Sequence, residues 1–239
     1  MKYAVLADIH GNLEALEAIK AYLEARNLTT ILCLGDSIGY GANPNECFEW
    51  VLAHASLHVL GNHEAAVFHE KTRWSFNDWS RVAIDWTAER LRPELVKKIE
   101  SLPYLRVRGP LTVAHGTIHR PGDFEYLMDD VSADKSFRAL GTDVGIVGHS
   151  HIPCWFSEAK PGAGGYFREG VLRLEKGDRY LLNPGSVGQP RDRDPRLSFG
   201  IFDPGELTFE IVRLPYDNKK AARKIRAEGL SRVFADRLL

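Results

Sequence analysis

The sequence predicts an α/β fold with a parallel sheet in its first half. Two observations favour this class. Short apolar runs alternate with stretches whose apolar residues recur at helical spacing, which is typical of strand–helix–strand units with right-handed crossovers. Each run also stops at a glycine or a polar residue, as a buried strand does. The five predicted strands are 3–7, 30–34, 57–60, 111–114 and 144–147.

The first two helices follow from the residues that begin them. Asn12 predicts a helix from Leu13 to about Arg26, because an asparagine side chain can accept a hydrogen bond from a free amide of the first turn. Asn43 followed by Pro44 predicts a second helix, since proline is favoured at the first helical position. These two helices connect the first three predicted strands.

The stretch from about 65 to 101 interrupts this alternation. Its pattern is mostly helical, with Asn77 or Asp78 at one helix start and Pro93 at another. We therefore predict a helical insertion between the third and fourth strands. Core packing is favoured for its tryptophans, because two of them lie seven residues apart on one helical face. Nucleobase stacking and a dimer contact are the alternatives for this set, Trp74, Trp79 and Trp86.

Beyond residue 151 the pattern changes to short β segments. Glycine or proline turns separate most of them, which predicts an antiparallel meander over about 153–214. Residues 217–232 are basic and helical in pattern, and a solvated helix face is favoured there over a nucleic-acid site. No repeat, low-complexity tract or linker interrupts the chain, so one domain is predicted over residues 1–239.

The composition excludes several classes of protein. At 239 residues and 44% apolar content, the chain can bury a sizeable core. A net charge of -1 gives no general attraction to nucleic acid or membranes, and no stretch is apolar enough to span a bilayer. Three separated cysteines without a CxxC pair argue against a thiolate metal site. With no signal peptide at the start, we expect a cytoplasmic protein.

All five predicted strands end in side chains that bind metal ions. Function collects past the carboxyl ends of strands in open α/β sheets, so these side chains predict one polynuclear site. Two ions about 3.5–4 Å apart need a shared carboxylate, and Asp36, after a central strand, is the expected bridge. Imidazole, carboxylate and amide ligands favour Mn, Fe, Zn or Ni, and we expect two divalent ions with manganese first. The seven expected ligands are Asp8, His10, Asp36, Asn62, His115, His149 and His151.

His63 follows Asn62 directly. Neighbouring side chains point apart along an extended backbone, so His63 is not expected to share the ion that Asn62 holds. An imidazole that titrates near neutral pH can donate a proton to a leaving alkoxide. We therefore predict that His63 acts as a general acid.

The motifs resemble those of a known family. Asp-x-His, Gly-Asp, Gly-Asn-His-Glu, His-Gly and Gly-His-x-His, in this order from Asp8 to His151, resemble the calcineurin-like metallophosphoesterase superfamily. Residues 35–41 and 183–186, with Pro190-Arg191 after the latter, resemble its small prokaryotic branch. The resemblance covers nearly the whole chain. It implies a four-layer α/β/β/α sandwich of two mixed β-sheets flanked by helices, with a dinuclear centre.

The resemblance also implies a ligand set and a reaction. A metal-bridging hydroxide attacks phosphorus in line, His63 protonates the leaving group, and no covalent phosphoenzyme forms. Small phosphodiesters or nucleotide-like substrates come first, with phosphomonoesters, phosphoproteins and dinucleoside polyphosphates as alternatives. The ligand set implied for one ion is Asp8, His10, Asp36 and His151, and for the other Asp36, Asn62, His115 and His149.

One departure from the family concerns the phosphate and the general acid. The protein-phosphatase branch carries Asp-Arg where this chain has Gly39 and Tyr40. The group that would orient His63 and an arginine that would hold phosphate are therefore missing there, which argues against a phosphoprotein substrate. Arginine suits bidentate phosphate binding. Other residues considered for contact with substrate are Arg191, Arg193, His119 and Arg120.

Two further functions compete with hydrolysis of small esters. The first is a protein-binding scaffold, because a retromer subunit of the same fold binds proteins. That subunit lacks the catalytic histidine, whereas His63 and all seven ligand positions are present here. The second is a nucleic-acid enzyme, which would need a groove of clustered basic charge that the sequence does not show. The expected partner is a small phosphate ester, and the oligomeric state is left open.

Overall fold

The protein is described here by a computed structural model that covers all residues from 1 to 239. Twelve strands form two six-stranded sheets. The strands are β1 (Tyr3–Leu6), β2 (Ile31–Cys33), β3 (Ala55–His58), β4 (Leu105–Arg108), β5 (Leu111–Ala114), β6 (Val144–Ile146), β7 (Cys154–Ser157), β8 (Gly165–Tyr166), β9 (Gly170–Arg173), β10 (Tyr180–Asn183), β11 (Leu197–Asp203) and β12 (Thr208–Leu214).

Both sheets are mixed. Sheet one has the order β3-β2-β1-β11-β12-β9, in which β1, β2 and β3 are parallel and the remaining pairs antiparallel. Sheet two has the order β4-β5-β6-β10-β7-β8, with parallel pairs only among β5, β6 and β10. The strands that precede the predicted metal ligands are therefore divided between the sheets, with three in sheet one and two in sheet two.

Nine α-helices accompany the sheets. Asn12 begins the first by accepting a hydrogen bond from the Ala15 amide, and Asn77 begins the fifth by accepting one from the Ser80 amide. Asn43 precedes the second helix without a side-chain capping bond. The helices are α1 (Leu13–Ala25), α2 (Pro44–His54), α3 (Asn62–Phe68), α4 (Glu70–Ser75), α5 (Asp78–Arg90), α6 (Pro93–Glu100), α7 (Asp130–Ala139), α8 (Asn218–Ala227) and α9 (Arg232–Asp236).

The layers follow from the alternation of side chains along buried strands. In β1, Leu6 faces the core beneath α1 and α2, whereas Val5 faces the second sheet. The core between the sheets combines residues of both, such as Leu32 from sheet one and Ile146 from sheet two. Helix α7 covers the outer face of sheet two through Phe137. The order helix, sheet, sheet, helix confirms the predicted fold class.

The predicted antiparallel meander was wrong. The β segments after residue 151 alternate between the sheets, with β7, β8 and β10 in sheet two and β9, β11 and β12 in sheet one. Strand β10 also pairs in parallel with β6. Apolar periodicity reports that a segment can pair, but it does not report which partner it takes, because β10 and β11 are buried throughout.

The tail, defined as residues 215–239, packs back onto the body of the protein. Ile225 and Phe234 lie in one apolar cluster with Tyr40 and with Ala83 of α5. The basic residues Lys219, Lys220 and Arg223 of α8 remain exposed. The tail therefore covers the region next to residues 35–41, which follow β2.

Candidate metal centre

The site forms where strand ends of the two sheets meet. Backbone hydrogen bonds join the loops in pairs: the His10 amide donates to the Asp36 carbonyl at 2.8 Å, and the Gly148 amide donates to the His115 carbonyl at 2.8 Å. The His149 amide connects the sheets by donating to Asp8 Oδ2 at 3.1 Å. These bonds hold residues from distant parts of the sequence in one buried group.

Asp8, His10 and His151 make the first cluster of ligand atoms. His10 Nε2 lies 3.1 Å from His151 Nε2, and His151 Nε2 lies 3.4 Å from Asp8 Oδ1. All three side chains are buried. Asp36 Oδ2 lies 3.7 Å from His10 Nε2, so its carboxylate reaches this cluster as well.

Asp36, His115 and His149 make the second cluster. His115 Nε2 lies 3.2 Å from Asp36 Oδ2 and 3.1 Å from His149 Nδ1. Asn62 Oδ1 completes the group at 3.0 Å from His115 Nε2. The structure thus brings all seven predicted ligands together, with Asp36 between the two clusters.

The tautomers of the histidines test whether metal ions fit these clusters. Carbonyl oxygens can only accept, so Nδ1 of His10 and of His151 must each donate, to the Ile38 and Gln189 carbonyls respectively. Their neutral Nε2 atoms therefore face each other with lone pairs at 3.1 Å and no proton between them. Two nitrogens that bind one ion at about 2.1 Å lie roughly 3 Å apart, so a cation resolves this conflict.

The second cluster has the same chemistry. His115 Nδ1 donates to the Leu34 carbonyl at 2.7 Å, so the lone pair of Nε2 is left to bind either a proton or a cation. That lone pair is directed at a carboxylate, an amide oxygen and another imidazole nitrogen. A cation is the group that satisfies such a set of acceptors.

The electrostatics of the second cluster point the same way. Burial lowers the pKa of His115, but the Asp36 and Asp8 carboxylates and the Leu34 carbonyl together outweigh burial and raise that pKa to about 9. Burial alone would raise the pKa of Asp36, but His115 and His63 hold that pKa well below its usual range. A proton on His115 occupies the position that a metal ion would take beside Asp36.

Five of the seven side chains stand on a backbone that ordinary residues avoid. Their φ angles lie between 50° and 68°, in the left-handed region, which costs on the order of 1 kcal/mol for each residue with a Cβ. The packed strands on either side keep this conformation, and it turns consecutive loops so that their side chains converge. The five residues are Asp8, His10, Asp36, His149 and His151.

His63 lies beside the first cluster, on a backbone that differs from the predicted one. Asn62 and His63 begin helix α3 rather than extending β3, and the first-turn geometry, not an extended strand, separates their side chains. The His63 ring packs edge-on against His10 and Tyr40, with centroids 4.6 and 4.3 Å away. Its ring nitrogen also lies within 4.8 Å of ligand atoms of His10 and Asp36.

Glycine at position 39 makes room for the His63 ring. A Cβ at Gly39 would lie 2.1 Å from His63 Nδ1, and the φ of Gly39 is +87°. His63 Nδ1 is buried without a hydrogen-bond partner. Burial lowers the pKa of His63 to about 4. The sequence lacks the aspartate that would orient His63 in the protein-phosphatase branch. Here, packing against aromatic rings and the Gly39 backbone fixes the orientation of the His63 ring instead.

Glu64 is a structural contributor that the sequence analysis did not assign. It is fully buried, and its carboxylate accepts from the amides of Asp36 at 2.8 Å, Ser37 at 2.6 Å and Gly61 at 3.1 Å. Glu64 is the third residue of α3, where a glutamate commonly reaches back to the helix start. That capping-box position was the sequence signal for it.

Residues 183–186 tie the site loops together. Asn183 Nδ2 donates to the Gly148 carbonyl at 2.7 Å, and Ser186 Oγ donates to the Asp8 carbonyl at 2.8 Å. Both side chains are fully buried. These two hydrogen bonds fix the loops that carry His149 of the second cluster and Asp8 of the first.

A cavity of about 390 Å³ opens over the two clusters. Of the residues considered for substrate contact, Arg191 lines it, whereas His119, Arg120 and Arg193 do not. Arg120 is exposed, in a left-handed backbone conformation. A second arginine, Arg237 of the tail, lines the cavity, and the sequence analysis missed it.

Aromatic side chains make most of the remaining cavity wall. Trp79 lines it and is 59% exposed, and Trp74 is 65% exposed outside it, so the predicted core packing was wrong for these two. Their helices turn the indoles away from the apolar cluster, and only Trp86 packs against one. The other aromatic wall residues are Tyr40, Phe76, Phe124, Tyr126 and Phe234.

Comparison with known proteins identifies the class of this fold and site. A sequence model of the calcineurin-like phosphoesterase superfamily domain matches residues 1–206. The chain belongs to that superfamily, and it is a metal-dependent phosphoric ester hydrolase. The tail lies beyond the matched region.

Individual relatives agree with this assignment. The chain is 35% identical in sequence to a metallophosphoesterase from Sphaerobacter thermophilus whose crystal structure is known. The two structures align with a TM-score of 0.89 over 100% of this chain and 98% of that one. An uncharacterized protein of Methanocaldococcus jannaschii is 40% identical over 98% of this chain and 96% of its own length. The fold is also that of a hypothetical protein from Pyrococcus horikoshii, with TM-score 0.80, 20% identity, and coverage of 99% of this chain and 97% of that one.

None of the helices combines the length and the apolar character needed to cross a membrane.

Proposed function

We propose that the protein is a dinuclear-metal phosphoesterase that hydrolyses small phosphate esters, with phosphodiesters and nucleotide-like compounds as the expected substrates. The observation that carries the proposal is the pair of converging imidazole lone pairs of His10 and His151, 3.1 Å apart. Asp8, His10, Asp36 and His151 would hold one divalent ion, and Asp36, Asn62, His115 and His149 the other. Manganese is the expected ion, and the same ligands suit Fe, Zn or Ni.

The residues divide the chemistry between them. When bound, the ions would lower the pKa of a water molecule for in-line attack and neutralise the phosphoryl oxygens. The carbonyl partners of His10, His115 and His151 fix each ring with its free nitrogen directed into the site. Glu64 holds the Asp36 loop in place through three amide bonds.

His63 is proposed as the general acid. It lines the cavity next to the first cluster, where a leaving oxygen would depart. Nδ1 faces Gly39, so the proton would be donated from Nε2. A phosphate anion bound beside the ring favours its protonated form, because an opposite charge nearby raises the pKa of an imidazole.

The shape of the cavity supports a substrate with a planar leaving group. Trp79, Phe76, Phe124 and Tyr126 surround an opening that leads to the metal clusters. Base stacking on such side chains contributes about 1–3 kcal/mol per base. Nucleotide-like esters match this wall better than small aliphatic phosphates do.

Metal analysis joined to a substrate panel tests the proposal. We expect two divalent ions per purified chain, and hydrolysis of at least one of three compounds with added manganese: a chromogenic diester, a chromogenic monoester and a dinucleoside polyphosphate. Bound metal without turnover of any of the three would contradict the proposal and favour the scaffold function. The proposed function predicts no retention of the protein on DNA. Retention that weakens as salt is added would instead favour a nucleic-acid enzyme.

A further inference from the structure

We propose that Arg191 and Arg237 form a two-arginine clamp that selects substrates whose reacting phosphate carries two negative charges. This inference rests on the proposed phosphoesterase function, and within that function it places phosphomonoesters, including nucleotides with a terminal phosphate, ahead of the phosphodiesters expected from the sequence. It also gives the tail a role in specificity.

Both guanidinium groups converge on one neutral acceptor. Gln189 Oε1 accepts from Arg191 Nη2 at 3.2 Å and from Arg237 Nη1 at 3.5 Å. The Gln189 side chain is buried, whereas Arg191 is half-buried and Arg237 is exposed at the cavity rim. A phosphate bound beside Gln189 Oε1 could accept from both arginines.

The clamp is fixed to the metal centre through the backbone. The Gln189 carbonyl accepts from His151 Nδ1 at 2.6 Å, and the Arg191 amide donates to the His151 carbonyl at 3.2 Å. An anion between the two arginines would therefore lie on the same cavity wall as the first cluster. This places it next to the position of the reacting phosphate.

Neither arginine is neutralised by the protein. Arg196 and Arg213 each pair with a carboxylate, whereas no carboxylate lies within 4 Å of the Arg191 or Arg237 guanidinium. Arg191 Nε is also buried without any hydrogen-bond partner. Apart from Asp36, the single carboxylate among the cavity-lining residues is the exposed Asp123. Two like charges brought together in this way favour a bound anion.

The charge of the filled site favours a dianion. Two divalent ions opposite Asp8 and Asp36 leave a net positive centre, and the clamp adds two further positive charges. A phosphomonoester offers two charges and three free oxygens, whereas a diester offers one charge and two free oxygens. Arginine binds phosphate oxygens in a bidentate manner, so the phosphate with more free oxygens can make more bonds to the clamp.

The tail supplies Arg237 from a firm position. Phe234 and Leu238 on either side of it are buried in the cluster that contains Tyr40. Asn218 Nδ2 donates to the Leu238 carbonyl at 2.7 Å, which joins α8 to the end of the chain. Because residues 207–239 lie outside the matched superfamily domain, the clamp combines Arg191 of that domain with Arg237 from the segment that follows it.

The test compares Arg237→Gln with Arg232→Gln, a change at an exposed arginine of α9 that does not line the cavity. Two readouts on the manganese-loaded protein are used: kcat/KM for p-nitrophenyl phosphate and bis(p-nitrophenyl) phosphate, and the Kd of inorganic phosphate by calorimetry. We expect Arg237→Gln to lower monoester kcat/KM and phosphate affinity about tenfold, since an exposed charge-assisted bond contributes near the lower end of 1.5–3 kcal/mol. Diester hydrolysis should change less than twofold.

Two more variants separate charge from shape. Arg237→Lys keeps the positive charge and should restore part of the lost phosphate affinity. Gln189→Glu places a carboxylate between the arginines and should weaken phosphate binding at least as much as Arg237→Gln. An equal loss on both esters with unchanged phosphate affinity would overturn the clamp. Wild-type protein that hydrolyses neither ester nor a dinucleoside polyphosphate would contradict the proposed function instead. The phosphate calorimetry would still decide whether the clamp binds an anion.

Discussion

Two regions of the molecule line the same cavity in different ways. The strand-end loops contribute four of the seven proposed ligands to its lining, and hydrogen bonds within and between the two sheets join these loops to one another. The tail contributes Val233 and Phe234 of α9 and Arg237 directly after it, and this segment packs through one small apolar cluster. The comparison teaches that the proposed reaction chemistry depends on the framework of the fold, whereas the proposed substrate selectivity depends in part on the tail.

The backbone of the two regions records the same division. Five of the seven proposed ligands in the loops have φ between 50° and 68°, and the surrounding strands hold them there. No residue of the tail other than Gly229 has a positive φ. Backbone strain is typical of sites where geometry decides function, so it distinguishes the strand-end loops from the tail.

The largest effect is expected from Asp36→Asn, which removes the carboxylate shared by the two clusters. Both ions should be lost together, and turnover should fall by at least about 10³, given that loss of one charge-stabilising group alone typically costs 10²–10³. Elemental analysis and kcat measure the two consequences. Asp134→Asn, at an exposed carboxylate of α7, serves as the control. Retention of one ion would show that Asp36 does not bridge.

His63→Ala should separate proton donation from metal binding. We expect both ions to remain and turnover to fall by about 10²–10⁴, the usual contribution of a general acid. His54→Ala, at an exposed histidine of α2, is the matched control. Because the His63 ring nitrogen lies within 4.8 Å of ligand atoms of His10 and Asp36, loss of an ion in this variant would make His63 a ligand. Unchanged turnover would remove it from the mechanism.

The strand-end region could be predicted because its information is local in sequence. Each ligand follows a short apolar run, and the carboxyl ends of parallel buried strands lie at the same edge of an α/β sheet. Even so, the assignment of strands to sheets was not predictable. Strand β10 lies between β6 and β7, and β11 lies between β1 and β12, and no periodicity distinguishes these neighbours.

The tail could not be predicted because its role depends on where it packs. The pattern of α8 indicated a solvated basic helix, and its basic residues are exposed, but the apolar face lies over Tyr40. Nothing near Arg237 in sequence marks a substrate contact. Trp79 shows the reverse problem, since helical spacing suggested burial for a side chain that lies on the cavity rim.

Phe234→Ala should loosen the packing of the tail against the cavity without affecting metal binding. Phe234 is 2% exposed and packs on Tyr40 with ring centroids 4.6 Å apart, and truncation of a buried phenylalanine typically costs about 3–5 kcal/mol. We expect faster hydrogen exchange over residues 215–239 and a raised KM, with both ions retained. Leu239→Ala, at an exposed residue of the same tail, should do neither. Loss of metal in Phe234→Ala would show that the two regions are not independent.

Trp79→Ala should give the smallest effect and the sharpest distinction between wall and centre. Trp79 is 59% exposed at the rim, so it can gain contact area from a planar group of the substrate, and only part of the stacking energy of about 1–3 kcal/mol is available. We expect KM to rise about threefold to tenfold for an aromatic ester, with no change for an aliphatic phosphate and no change in kcat. Trp74→Ala, at a tryptophan that is 65% exposed but lies outside the cavity, is the matched control. An equal rise in KM for the aliphatic phosphate would mean that the indole shapes the cavity rather than binding the leaving group, and the nucleotide-like preference would then lose its support.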